Sequence, residues 1–188
     1  MNGNARESLN SRERIRRLII YVTVFPMLGV IMFASDIFME ALPNIHIVGA
    51  LVMIYTVVFR FKALVPLYIY VFLNGLYMGF SPWWVPYLYV WTILWGLTML
   101  LPRKMPRVAK CIVYPVLCSA FGFLFGTLFA PGQALVFGLD FKEMIAWIIA
   151  GIPFDIIHGI SNIFAGLLVF PLSELVFKLT KKLKINAE

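Results

Sequence analysis

Asp155, His158 and Asn162 stand in a largely apolar stretch from Gly151 to Pro171. A carboxylate, an imidazole and a carboxamide can relay a proton, bind a cation or hold a polar solute. At 100° per residue they fall within about 60° of one another on a helix, and Gly159 and Gly166 share that face. The glycines leave open space beside the polar stripe. Ionisable groups inside a bilayer are costly and usually face a bundle interior or a cavity. A plainer reading stands beside this one. Pro153 suits the first helical position, which would put Asp155 in a first turn, where a carboxylate favours the helix dipole.

Other polar and aromatic residues reach the same level of the chain if its apolar runs alternate in direction. Asn44 and His46 begin the second run, and Asn74 lies about two turns inside the end of the third. A cavity would gather such groups, and a helix–helix hydrogen bond would account for each singly. Trp83, Trp84, Tyr87, Tyr89, Trp91 and Trp95 crowd the next loop and helix. Trp83 and Trp84 fit interfacial anchors and Trp95 fits the core, whereas Trp84, Tyr87 and Trp91 could form a stacking wall for a flat ligand. Gly75-x-x-x-Gly79 and Gly122-x-x-x-Gly126 permit close helix approach, chiefly for internal packing.

Several chemistries are set aside. There is no Gly-x-x-x-x-Gly-Lys-Ser/Thr loop, no His-Glu-x-x-His and no Gly-x-Ser-x-Gly. His46, His158 and Asp155 could meet at a metal, but two histidines without clustered spacing make a poor ligand set. No metal or cofactor is expected. Cys111 and Cys118 lie seven residues apart, about 10.5 Å along a helix, too far to bridge each other.

The elements that must position these residues follow from composition. Of 188 residues, 62% are hydrophobic and 13% charged, which excludes a soluble domain and points to an all-α, polytopic membrane protein. The net charge of +7 could suggest nucleic acid, but its distribution argues against that partner. Fifteen of the sixteen basic residues fall before the first run, at Arg60 and Lys62, from Arg103 to Lys110, or from Lys178 onward. Lys142 alone falls on the other side, with Asp36, Glu40, Asp140 and Glu143. This is the positive-inside pattern, so both termini are expected to be cytoplasmic.

Six spans are expected, at about 12–39, 46–59, 63–80, 87–101, 108–130 and 154–179. Residues 1–11 read as a disordered cytoplasmic lead, 12–179 as one transmembrane domain and 180–188 as a basic tail. The first apolar run is too long for a signal peptide and lacks a cleavage site. Pro131-Gly132-Gln133 is expected to break the fifth span. A long outer connection to about Gly151 would follow, with a short helix over 144–150.

Six helices, cytoplasmic termini and the segment Ile-Pro-Phe-Asp-Ile-Ile-His-Gly-Ile-Ser-Asn resemble the substrate-binding S components of energy-coupling factor (ECF) transporters. The resemblance runs from Leu-Pro-Asn-Ile-His at 42–46 through the Trp-rich loop to the last helix. It implies a non-enzymatic subunit of a bacterial plasma membrane that captures a vitamin or related micronutrient from outside. Its implied partners are a coupling transmembrane subunit, two ATPase subunits and the lipid bilayer. The pocket it implies would draw on Asn44, Trp84, Tyr87, Trp91, Asp155, His158 and Asn162, to which the shared depth read above adds His46 and Asn74. The first helix reads Tyr-Val-Thr-Val-Phe-Pro-Met-Leu-Gly, without the Ala-x-x-x-Ala docking pair of many such subunits. The chain begins Met-Asn-Gly rather than with the Met-His of metal-carrying members, which counts against metal cargo. Two other readings are open. One is a structural scaffold resembling the cell-shape protein MreD. The other is an intramembrane enzyme using Asp155 and His158 as an acid–base pair, for which no nucleophile or metal motif is present.

Overall fold

The computed structural model describes residues 3–182, which are helical with short connections and contain no strand. The helices are α1 (Gly3–Phe38), α2 (Val48–Phe59), α3 (Leu64–Met78), α4 (Tyr87–Leu100), α5 (Arg107–Phe123), α6 (Phe125–Phe137), α7 (Phe141–Leu167) and α8 (Val169–Lys182). Four stretches are long and apolar enough to cross a membrane: Leu18–Phe38, Val48–Met78, Arg107–Phe137 and Phe141–Leu167. The surface agrees with that setting. Val22, Phe72, Ile112, Val116, Ile156 and Phe164 all point outward, a large apolar area that water would penalise and lipid would not.

Side-chain pairings fix the helix directions. Phe25 meets Phe59 at 5.2 Å between ring centroids and the Tyr55 hydroxyl donates to the Leu28 carbonyl, so α2 runs against α1. The chain then turns back through a 3-10 turn at Arg60–Ala63, where Arg60 takes a φ of 54°. Phe33 meets Tyr77 at 5.9 Å and Lys62 sits over Tyr21, so α3 runs with α1. Tyr70 meets Tyr87 at 6.5 Å and Phe61 meets Trp95 at 5.5 Å, so α4 runs against α3. The Val48–Met78 stretch is therefore a helical hairpin rather than a single rod.

α2 is the centre of the bundle. Eleven of its twelve residues are buried, which explains how so short a helix is stable: its neighbours, not lipid, cover it. By contrast α5 continues into α6 through one distorted residue, Leu124, whose N–H reaches the Ala120 and Phe121 carbonyls. Likewise α7 passes into α8 at Leu168. The α5–α6 and α7–α8 rods pack antiparallel. A Cβ added at Gly166 would lie 2.5 Å from Pro115 Cα, and one at Gly122 would lie 3.0 Å from Gly159 Cα. Glycine at these positions lets the two backbones touch. The Gly75/Gly79 pair does something different. Gly79 ends α3 in the left-handed conformation, at φ 75°, and Gly75 leaves room for Phe80 and Trp84.

Two expectations are corrected here. The chain does not break at Pro131, and the long outer connection does not exist. α6 runs through Pro131 to Phe137, and only Gly138–Asp140 separates it from α7. The Tyr89 hydroxyl explains the continuity. It accepts from Gly132 N–H at 3.1 Å and donates to the Leu128 carbonyl at 2.8 Å, so it bridges a donor and an acceptor in the distorted turn. The turn itself is strongly signalled. Gly138 is left-handed at φ 68°, and Asp140 and Glu143 cap α7 reciprocally, each bond 2.8 Å. Pro153 is consequently interior to α7, and Asp155 lies about four turns from its start, far beyond the dipole's first turn. Gln133, which the loop reading would expose, is fully buried. The segment read as a disordered lead falls within α1 from Gly3 onward, and residues 183–188 of the basic tail lie outside the described residues.

Candidate functional site

The ends of α1, α3 and α6 and the starts of α2, α4 and α7 meet at one end of the bundle, where Asn44 lies. A cavity of about 420 Å³ opens there between the 39–47 loop, the Pro82–Trp84 turn, α6 and α7. Its walls are aromatic. Phe129 and Trp147 lie nearly parallel, 8° apart with centroids at 6.1 Å. Trp83 is inclined 29° to Phe129 at 6.4 Å, and Tyr87 meets Phe129 edge-on at 84°. Phe129 and Tyr87 are placed by the antiparallel contact of α6 with α4, and Trp147 by the two-turn advance of α7 from its capped start.

Asp155 closes the inner side of this cavity. Its Oδ1 accepts from the Gly126 N–H at 2.9 Å, where α6 begins beyond the Leu124 distortion. The contact requires glycine, since a Cβ there would come within 2.9 Å of either carboxylate oxygen. Asn44 faces the cavity from the loop, in a left-handed conformation at φ 61° that asparagine tolerates. Ser161 Oγ donates to its carbonyl at 3.0 Å and ties the loop to α7.

Beneath the cavity lies a polar cluster with few partners. The His46 and His158 rings are 4.7 Å apart, and His158 also meets Phe125 at 4.8 Å. His46 meets Trp91 at 5.9 Å. Asn162 sits one turn further down, within reach of Gly49 on α2 and Gly122 on α5. The buried atoms His46 Nδ1, Trp91 Nε1, both His158 ring nitrogens and both Asn162 amide atoms make no hydrogen bond. His158, Asn162 and Trp91 are at most 1% exposed. Leaving a buried donor or acceptor unpaired costs about 1–3 kcal/mol each, so a fold that merely packed helices would not concentrate them here. No group of three or more His, Cys, Asp or Glu placed to hold a metal occurs among the described residues.

The sequence-derived candidates divide into three sets. Asn44, Tyr87 and Asp155 line the cavity, and His46, Trp91, His158 and Asn162 form the cluster below it. Asn74 and Trp84 do neither. Asn74 Nδ2 donates to Asp36 Oδ2 at 2.9 Å, and Tyr70 bonds the same oxygen at 2.8 Å, which makes a clamp between α1 and α3. Trp84 turns its Nε1 onto the Val71 carbonyl at 2.7 Å and packs edge-on against Phe80. Its neighbour Trp83 takes the wall position instead. Trp147 and Phe129 were missed. Trp147 falls in the short helix expected over 144–150 of an outer connection, and only the Gly-x-Asp-x-x-Glu signal at 138–143, which starts α7 early, joins it to the helix that carries Asp155.

The polar triad is thus buried on one stripe, next to a cavity whose size fits a small organic solute. Comparison with protein-family models, with curated proteins and with solved structures finds no match to this chain, so its function is read from the cavity, its aromatic walls and the polar cluster below.

Proposed function

We propose that this chain is the membrane-embedded solute-binding subunit of an importer, of the kind that the S components of ECF transporters exemplify. The observation that carries the reading is the cluster of unpaired buried polar atoms on His46, Trp91, His158 and Asn162, directly under an aromatic-lined cavity. A scaffold needs complementary outer surfaces and gains nothing from unsatisfied polar groups inside. A solute, or water held with it, would satisfy them.

The finer topology belongs to the same proposal. Helix directions alternate along the chain, and the basic residues gather at the Arg60 end. Under the positive-inside rule this reads as six crossings with both termini in the cytoplasm and the cavity facing outward. No nucleotide-binding loop occurs in the chain, so energy would come from ATPase subunits through a coupling membrane subunit. Enzymatic use of Asp155 and His158 fares less well. The two side chains do not hydrogen-bond each other, and the Ser161 hydroxyl beside His158 is turned onto the Asn44 and His158 carbonyls rather than onto the imidazole.

The test is a thermal-unfolding screen of the purified protein against a mixture of vitamins and their precursors. Binding to the folded state raises Tm by mass action, by about 2.7 kcal/mol of stabilisation at a hundred times Kd. A rise with the mixture, traced to one component and lost in Asn162→Leu, is expected. An unchanged Tm across the whole mixture would remove the proposal. Uptake in cells should further require co-expressed ATPases, and accumulation by this chain alone would overturn the coupling scheme.

A further inference from the structure

The charge and shape of the cavity narrow what it takes. We infer that its ligand is a small organic cation carrying a planar ring, an assignment that rests on the solute-binding reading above.

The first argument is the lone carboxylate. Asp155 is 9% exposed, and its Oδ1 is held by the Gly126 N–H. No lysine or arginine lines the cavity, and neither nearby histidine bonds to the carboxylate. A carboxylate so placed ionises favourably only with a counter-charge beside it, and a bound cation supplies one. An anionic ligand would meet only the carboxylate and the negative faces of the rings.

The second argument is the walls. Trp83, Tyr87, Phe129 and Trp147 surround the space above Asp155, with the Phe129 and Trp147 planes within 8° of parallel. Such faces stack on a flat ring and attract positive charge through their quadrupoles. Carboxylate and rings therefore select the same charge from two directions, and a single positive charge matches the single carboxylate.

The third argument is the approach. The end of the bundle where the cavity opens carries Asp36, Glu40, Asp140 and Glu143 against Lys142 alone. A mouth of that sign concentrates cations and repels anions before binding begins. This feature is independent of the cavity lining.

The test uses three probes with the same ring and different charge: benzyltrimethylammonium, benzyl alcohol and phenylacetate. Each is titrated calorimetrically into the full chain in a non-ionic detergent. The cation is expected to bind at least tenfold more tightly than the alcohol, and phenylacetate to give no binding heat. Asp155→Asn should erase the preference for the cation, and Trp147→Leu should weaken both the cation and the alcohol. Unfolding of each variant without ligand verifies that it is folded.

Alcohol or phenylacetate binding as tightly as the cation would overturn the assignment. So would a cation preference that survives Asp155→Asn. If no probe binds while the vitamin mixture still raises Tm, the cation assignment fails and solute capture stands. If neither probe nor mixture binds, both readings fail.

Discussion

Replacing Gly122 by alanine should force α5 and α7 apart and disturb the polar cluster with them. An added Cβ would lie 2.9 Å from the His158 carbonyl oxygen, 3.0 Å from Gly159 Cα and 2.7 Å from Asn162 Nδ2. The first two are backbone atoms of α7 and cannot rotate away. Relief requires the helices to separate by several tenths of an ångström along their tightest contact. Overpacking of this kind costs about 1–3 kcal/mol, and removing a glycine from a helix interior returns roughly 0.5–1 kcal/mol. The net loss should be about 1–2 kcal/mol, which for a chain of this size lowers Tm by about 2–8 °C. Gly96→Ala is the matched control. Gly96 is also interior to a helix, but nothing lies within 4 Å of its added Cβ, so that change should stabilise by about 0.4–1 kcal/mol. Thermal unfolding of both variants, side by side in one detergent, reads the difference. A Gly122→Ala protein as stable as Gly96→Ala would refute the close backbone contact on which the cluster's geometry depends.

The remaining predictions bear on other parts of the account. Asn74→Leu removes a hydrogen bond to a carboxylate in the α1–α3 clamp and should cost about 1.5–3 kcal/mol in unfolding experiments while leaving solute binding unchanged. Weakened binding would return Asn74 to the site. Tyr89→Phe deletes the bridge across the Pro131 turn and should destabilise by about 1–3 kcal/mol, with faster hydrogen exchange confined to 128–133. Unaltered exchange there would show that α6 does not need the hydroxyl. In a chain with Cys111 replaced by serine, maleimide added to intact cells should label Ser81→Cys and Lys142→Cys but not Lys104→Cys. Labelling of Lys104→Cys would reverse the proposed orientation.

How much of this could be read in the sequence depends on the range of the interaction. Periodicity is local, so the stripe of Asp155, His158 and Asn162 on one face was legible, as were the limits of α2 and α4 to within about two residues. The end of α6 was not. Proline is a reliable stop signal only where nothing bridges the distorted turn, and the bridge here, between Gly132 N–H and the Leu128 carbonyl, comes from Tyr89, far away in sequence. The start of α7 had its own local signal in Gly138, Asp140 and Glu143. It was overlooked because Pro153 offered a second, competing start. The exchange of Trp83 for Trp84 at the wall is a matter of register in the Pro82–Trp84 turn, where adjacent residues point apart. Asn74 illustrates the opposite case. Its depth matched the site, but its partner Asp36 lies on another helix, and only the packing of α1 against α3 shows that the amide is already satisfied.

The central claim, that the interior of this bundle exists to hold a small solute, is tested most directly by what the protein carries. Purified wild-type protein and its Trp147→Leu and Asp155→Asn variants would be denatured, and the small molecules released would be identified by mass spectrometry. The account predicts a ring-bearing organic compound near one equivalent in the wild type and strongly reduced in both folded variants. The same lipids and detergent in all three samples, with no such compound in the wild type, would contradict it.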